Sequence, residues 1–347
     1  MILYTPDTTG SAKGAMITWR QIHYNALNTI IGLQLTQDDV AFLNTPLYHT
    51  GGWHVLFTPL VILGGRLVLQ SKFVPERCNE QIRPAGVTIL FGIPTMLRMM
   101  LDAPNFAVAD LQRVRFAICG GEACPLPVIE RLAARGVAVR QGYGLTEAGP
   151  NCFSLPAADA IRKQGSIGLP NFLVDARLCG QDGAEVGAGE VGELQMRGPH
   201  LFAGYWNDPQ ATRRALNVGW LATGDLMTRD TEGYYYVVGR TKDMYISGGE
   251  NVYPLQVEQV LQQHASVARA AVLGVPDPQW GECGLAFIQR NAGATVAEEE
   301  LREWCQTRLA RFQRPARFVF VEELPIGASG KIDKRALEQQ AGESGAA

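Results

Sequence analysis

The stretch GWLATGDLMTRDTEGYYYVVGRTKDMYISGGENVYP, from Gly219 to Pro254, carries more chemistry than a linker would. Asp225 follows a Thr-Gly pair that turns the backbone tightly, so its carboxylate can accept two hydrogen bonds from adjacent hydroxyls, as a sugar diol offers. Arg240 closes the hairpin DTEGYYYVVG, whose alternating tyrosines and valines predict a strand, and it can reach the same sugar or a phosphate. Taken singly, Asp225 also reads as a turn cap and Arg240 as a surface charge. The glycine-rich run Gly248-Gly249-Glu250-Asn251 is expected to be a loop that enters a helix.

Moving outward, MILYT at the N-terminus reads as a buried strand, and Thr18 to Leu33 as a helix. Between them lies TTGSAKG, whose small residues let backbone amides approach phosphate oxygens while Lys13 adds a positive charge. Its spacing is not GxxxxGK[ST], which disfavours a P-loop nucleoside triphosphatase. Short β-rich runs follow at 40–46, 66–70, 87–91, 114–119 and 137–141, with helices such as PLPVIERLAARG (125–136) between them. This alternation predicts an α/β domain in which helices flank parallel sheets. Ligands of such sheets gather at the carboxyl ends of the strands, where Gly120-Gly121-Glu122 and Gly142-Tyr143-Gly144-Leu145-Thr146-Glu147 fall. Tyr143 can stack on a base. Thr146 can donate to a phosphate, and Glu147 can hold Mg²⁺ together with phosphate oxygens. The competing reading is a buried tyrosine and a helix-capping Thr/Glu pair.

Residues 171–241 are rich in turns and predict short antiparallel strands, a β-rich and barrel-like subdomain completing a large domain of residues 1–241. After Lys242 the order is helix (253–264), strands (267–275 and 283–289), helix (297–311) and strand (318–321). That order predicts a small α+β domain over 242–347. Lys331 follows Ser-Gly on a loop able to reach outward, ahead of a helix beginning near Lys334. Lys334 and Arg335 read as solvated surface charges.

Together with YTPDTTGSAKG (4–14), GYGLTE (142–147) and ASGKIDKRAL (328–337), the opening stretch resembles the adenylate-forming enzymes: acyl-CoA synthetases, luciferases and the adenylation domains of peptide synthetases. The resemblance runs from residue 4 to residue 337, and four ordered motifs are far more specific than one. It implies that Asp225 and Arg240 hold the ribose of ATP and that Lys242 is the pivot between the two domains. It further implies that Thr5, Thr8, Thr9, Gly10, Lys13, Gly120, Gly121, Glu122, Gly142, Tyr143 and Gly144 line the nucleotide site. Thr146, Glu147 with Mg²⁺, His49 and Lys331 would then be the catalytic groups, Lys331 for adenylation. Gly248, Gly249 and Glu250 would face the phosphopantetheine arm of CoA, the alternative being a plain strand-to-helix turn. His49 reads equally as a packed histidine with a backbone partner. The implied cofactors are ATP, Mg²⁺ and coenzyme A.

Two departures stand out. The family pattern Ser-Gly-Thr-Thr-Gly is here Pro6-Asp7-Thr8-Thr9-Gly10, which removes an amide donor and places a carboxylate beside the expected triphosphate. Family members also carry a sizeable segment ahead of this loop, so the expectation is a natural short form, a truncated start, or a second copy or partner chain that supplies the segment. For the substrate, no Asp lies between Asp39 and Asp102 to pair with an amino group, and an unpaired buried ammonium is costly. A carboxylic acid without an α-amino group is expected. Trp53, Val55, Leu56, Phe91, Ile93 and Met96 suit an aliphatic or aromatic tail, and the wording around GGEN is nearest to medium- or long-chain fatty acyl and aryl-CoA ligases. The rival classes are a non-catalytic or half-reaction homologue that binds nucleotide or acyl-adenylate for a partner, and an activator that loads a carrier protein.

Composition narrows the setting. The 347 residues suggest two domains, with 46% hydrophobic and 19% charged residues as in ordinary globular proteins. A net charge of −3 and a pI near 6.0 give no basic field for nucleic acid. Seven scattered cysteines without a CxxC pair predict reduced thiols and a cytoplasmic setting. The apolar run 53–63 is broken by Pro59 and is too short to span a bilayer, and the first residues lack the form of a signal peptide.

Overall fold

A computed structural model describes residues 1–5, 12–327 and 332–343. Two units emerge: residues 1–223 with 227–237, and residues 224–226 with 238–347. In the first, β1 (Ile2–Thr5) and β2 (Lys13–Met16) form an antiparallel ribbon that pairs Thr5 with Lys13. Only Leu3 of β1 is buried, so the expected buried strand is in fact an edge ribbon with three of its four side chains outside the core. Helix α1 (Trp19–Leu33) starts where Thr18 accepts a hydrogen bond from the Gln21 amide, 3.2 Å away.

The parallel layer contains β3 (Val40–Leu43), α2 (Thr50–His54), α3 (Phe57–Leu63), β4 (Arg66–Leu69), α4 (Pro75–Ala85) and β5 (Ile89–Gly92). It continues through α5 (Pro94–Asp102), β6 (Phe116–Cys119), α6 (Leu126–Ala133) and β7 (Ala138–Leu145). The spatial order is β4-β3-β5-β6-β7, all parallel in this part. Successive residues on a strand point to opposite faces, which explains the near-continuous apolar runs. Val40, Phe42, Leu90 and Ala117 pack on one face, and Ala41, Ile89, Phe116 and Ile118 on the other.

At β7 the sheet changes character. Its first half runs parallel to β6, while Gly142, Tyr143 and Leu145 pair antiparallel with β8 (Gly149–Ser154). The glycine motif is therefore the second half of a strand and not the loop after it. Beyond come β9 (Ser166–Pro170), β10 (Asp175–Cys179), β11 (Gly192–Arg197), α7 (Pro209–Ala215), β12 (Leu216–Asn217), β13 (Trp220–Arg229) and β14 (Tyr235–Arg240). These strands extend the same sheet in the order β10-β11-β13-β14-β9-β8-β7, an open path among the described residues instead of the barrel-like arrangement anticipated.

An ion pair with a buried carboxylate and an exposed guanidinium braces the parallel layer. Asp39 is 1% exposed and accepts from Arg115 Nη1 at 2.7 Å, Thr88 Oγ1 at 2.8 Å and the Thr36 amide at 2.8 Å. Burial alone would raise its carboxyl, but the bonds from Arg115, Thr36 and Thr88 outweigh it and hold the group below its ordinary value of 3.8. A depressed folded-state value means stabilisation that is complete above the unfolded value and lost as pH falls through the lower folded one. Arg115→Met should cost about 2 kcal/mol at pH 7, because it removes the charged donor from a buried carboxylate that keeps only its Thr36 and Thr88 bonds. The deficit should shrink towards pH 4, where Asp39 of the variant takes up a proton. Urea titrations at both pH values check this, and an equal deficit at each would refute it.

The second unit holds β15 (Tyr245–Ser247), β16 (Glu250–Val252), α8 (Pro254–Gln262), β17 (Val267–Asp277), β18 (Gly281–Arg290), α9 (Glu298–Gln306), β19 (Arg317–Val321) and α10 (Lys334–Glu343). Strand order is β16-β15-β18-β17, with β19 parallel to β18. Val257, Leu261, Leu301 and Val272 fill one core, while Leu337, Ala341, Leu273 and Phe287 fill another. The opposed pair Gly274 and Gly284 makes room for the buried Tyr245 ring: a Cβ on Gly274 would sit 2.3 Å from that of Tyr245. Gly248 and Gly249, at φ 60° and 87°, form the two-residue turn between β15 and β16. GGEN is thus a hairpin tip and the start of a strand, with the helix delayed to Pro254.

Candidate active site

In the first unit the site is built around Glu147. The turn Thr146-Glu147-Ala148 joins β7 to β8, so the Thr/Glu pair caps no helix. Two anchors fix its backbone: buried Gln21 donates from Nε2 to the Thr146 carbonyl at 2.9 Å, and the Phe202 amide donates to the Glu147 carbonyl at 2.8 Å. The Glu147 side chain is 8% exposed. Its Oε1 accepts from the Tyr205 hydroxyl at 2.8 Å and the Thr5 hydroxyl at 3.4 Å. Lys13 lies 5.5 Å from the Tyr205 ring centroid, a cation–π approach that keeps a positive charge beside the carboxylate.

Tyr205 was not foreseen. Residues 203–206 run against β2, with Met16 N to Gly204 O at 2.9 Å and Trp206 N to Gly14 O at 2.8 Å. The Tyr205 amide also donates to Thr212 Oγ1 at 2.8 Å, which fixes the backbone that carries the phenol. Its only sequence signal is an aromatic residue after glycine in FAGYWNDP, too common to single out.

The glycine segments adjoin one another. A Cβ on Gly120 would lie 3.8 Å from the Gly142 carbonyl, and one on Gly144 would be 2.3 Å from the Gly149 oxygen, so Gly144 tolerates no side chain. Gln141 ties the two segments, accepting from the Cys124 amide at 2.9 Å and donating to the Glu122 carbonyl at 3.0 Å. Gly121 has φ 83°, and Glu122 is exposed beside it. Tyr143 is half-buried, edge-on to Phe153 at 5.7 Å. His49 is exposed and caps α2, its Nδ1 accepting from the Gly51 amide at 3.0 Å. The expected packing is absent; the backbone partner is present.

In the second unit, Asp225 and Arg240 form an ion pair, Nε to Oδ1 2.9 Å, with the Asp225 side chain 8% and that of Arg240 50% exposed. The Thr241 amide donates to the Gly224 carbonyl at 2.9 Å and keeps the two motifs abreast. Partial burial pushes the Lys242 ammonium below its ordinary value; Asp243 opposes this, while Arg240, Lys334 and Arg335 reinforce it. Gly248 packs under the Trp280 ring, and its amide donates to the Trp280 carbonyl at 2.8 Å. Glu250 is exposed. Lys334 is no solvated surface lysine: its Nζ lies 3.0 Å from Glu258 and 3.8 Å from Asp243. Thr8, Thr9, Gly10 and Lys331, with Pro6 and Asp7, lie outside the described residues.

Among the described residues no group of three or more His, Cys, Asp or Glu is placed to hold a metal. One buried carboxylate with ordered donors on a single oxygen suits an ion held jointly by protein and phosphate, since Mg²⁺ keeps most of its shell for phosphates and water.

The glycine segments and single buried carboxylate of the first unit, and the Asp–Arg pair of the second, agree with the family comparisons. The model for AMP-binding enzymes matches residues 1–206, and that for the AMP-binding enzyme C-terminal domain matches 256–331. The chain belongs to the AMP-binding enzyme family. Within it, the chain is 40% identical over 342 residues to a feruloyl-CoA synthase of Amycolatopsis, covering 99% of itself and 70% of that protein. It is 37% identical to an indoleacetate–CoA ligase of Aromatoleum aromaticum, covering 98% of itself and 66% of that protein. Among solved structures, o-succinylbenzoate CoA synthetase of Bacillus subtilis with its acyl-adenylate superposes with TM-score 0.90 at 34% identity, covering 97% of this chain and 68% of that one. ATP-bound MatB of Rhodopseudomonas palustris gives 0.91 at 33%, covering 98% and 67%. The adenylate-forming resemblance and the fold it implied are thereby borne out, and this AMP-binding enzyme is an ATP-dependent acid–thiol ligase. No helix among the described residues is long and apolar enough to cross a membrane.

Proposed function

We propose that this AMP-binding enzyme activates an aryl carboxylic acid with ATP, giving acyl-AMP and pyrophosphate, and passes the acyl group to the sulfur of CoA. The 40% identity to a feruloyl-CoA synthase across nearly the whole chain carries the reading. A medium- or long-chain fatty acid, which the apolar residues around Trp53 and Phe91 also suit, is the less supported substrate, because feruloyl-CoA synthase, indoleacetate–CoA ligase and o-succinylbenzoate CoA synthetase are all named for acids bearing rings.

In the first half-reaction, Thr5, Lys13 and Thr146 meet the phosphates, and Gly120 to Glu122 with Gly142 to Gly144 leave room for the adenosine. Glu147 is the residue that would hold Mg²⁺, an ion that neutralises phosphate charge as pyrophosphate departs. Asp225 accepts the ribose hydroxyls with Arg240 alongside, and Lys331 stabilises charge at the α-phosphate. His49 stands towards the acyl group. In the second half-reaction, residues 242–347 turn about Lys242 and bring the Gly248-Gly249-Glu250 tip to the CoA arm.

Exchange of labelled pyrophosphate into ATP, run with ferulate, indoleacetate, 2-succinylbenzoate and octanoate and followed by thioester detection, tests this reading. Exchange and thioester with an aryl acid are expected. Octanoate as the sole active acid would restore the fatty-acyl alternative. Exchange with no thioester would indicate a carrier-protein acceptor. Silence with every acid from folded protein would favour a nucleotide-binding homologue, the reading that Pro6-Asp7 in the phosphate loop supports. Asp225→Ala should raise the KM for ATP about 10- to 100-fold, since hydrogen bonds to a charged group contribute about 1.5–3 kcal/mol. A KM within twofold of the parent would remove Asp225 from the ribose site.

A further inference from the structure

Lys334 is the first residue of α10 and stands at a junction of three chain segments. Its Nζ lies 3.0 Å from Oε1 of Glu258 on α8 and 3.8 Å from Oδ2 of Asp243, and it donates to the Val272 carbonyl on β17 at 3.3 Å. Glu258 is 8% exposed, and the same Oε1 accepts from the Val272 amide at 2.9 Å. β17 ends the sheet path, so among the described residues its outer amides and carbonyls have no strand partner. The Glu258–Lys334 pair therefore satisfies both backbone groups of Val272 on that open edge. A lysine that only solubilised the surface would not be three-quarters buried over two carboxylates.

The segments joined here are those the proposed reaction needs to move together. Asp243 is next in sequence to the proposed pivot Lys242, and Lys334 is three residues beyond the proposed adenylation residue Lys331. We infer that Lys334 is a positioning residue for adenylation: its bonds to Asp243, Glu258 and Val272 lock the start of α10 to the segment that follows Lys242, so that the two turn as one body. Methionine at this position keeps the stem but loses the ammonium, leaving Glu258 facing Asp243 with nothing between them. Arginine restores the charge on a longer, planar head and serves as a partial replacement. The inference rests on the reading of the reaction given above.

The test uses the full chain and two readouts. In pyrophosphate exchange with the best acid, Lys334→Met should lower kcat about tenfold or more with KM for ATP within twofold. Thioester formation from supplied acyl-adenylate should fall less than threefold, and Lys334→Arg should recover part of the loss. An unchanged exchange kcat, or a parallel fall of both half-reactions tracking the loss of folded protein, overturns the proposal. Hydrogen exchange of the ligand-free protein needs no turnover. In Lys334→Met, peptides covering 243–247 and 332–340 should both exchange at least fivefold faster, whereas acceleration of the α10 peptide alone overturns the coupling. If the parent catalyses no exchange yet the two peptides respond together, the clamp stands and the ligase reading falls.

Discussion

Lys331→Ala is expected to cut pyrophosphate exchange by about 10²- to 10³-fold, the loss typical when one preorganised charge is taken from a transition state. A carboxylate attacking the α-phosphate brings two anions together, and the excess negative charge peaks as the bond to pyrophosphate lengthens. A cation that meets this charge only then contributes to kcat and little to ground-state binding, so KM for ATP and for the acid should stay within about threefold. The second half-reaction supplies the internal control. In it CoA sulfur displaces AMP and no pyrophosphate leaves, so thioester formation from supplied acyl-adenylate should be nearly unchanged. Exchange retained within threefold of the parent would remove Lys331 from the chemistry and with it the proposed division of labour between the two units.

Glu147→Gln should have the second-largest effect, lowering exchange by about 10²-fold and shifting its Mg²⁺ dependence to higher concentration. Glutamine has nearly the same shape and its carbonyl can still accept from Tyr205 and Thr5, the two hydroxyls on Oε1. What is lost is the negative charge, and a neutral amide is a poor Mg²⁺ ligand. Because Glu147 is buried and its backbone is held by Gln21 and Phe202, the turn should keep its shape. Tyr205→Phe removes one donor and leaves the charge, so a several-fold loss of kcat at an unaltered Mg²⁺ midpoint is expected. A Mg²⁺ titration of the three proteins decides the matter. Superimposable curves for the parent and Glu147→Gln would mean that another group holds the ion.

Several elements were readable because their causes are local. Thr18 announces α1 by a side-chain bond to an amide three residues on, and the strands of the parallel layer show as apolar runs closed by glycine or proline. Gly248-Gly249 marked a turn correctly, but whether it led into a helix or a strand depended on which partner the next residues would find. They paired with Tyr245 to Ser247. Strand β7 was cut short for the same reason: nothing within GYGL says that β8 will return alongside it.

The amino-acid order by itself determined the family, the two-part α/β and α+β plan, and the residue types offered for chemistry, since motif spacing and hydrophobic period are properties of a chain before it folds. Only the tertiary structure decided which groups meet. Thr5 and Tyr205 converge on Glu147 from 142 and 58 residues away, and Lys334 leaves the solvent for Glu258, 76 residues earlier in the chain. Such pairings depend on how β2, β8, α8 and α10 stack, and stacking is settled by the summed burial of many side chains, a quantity that no single stretch of sequence contains.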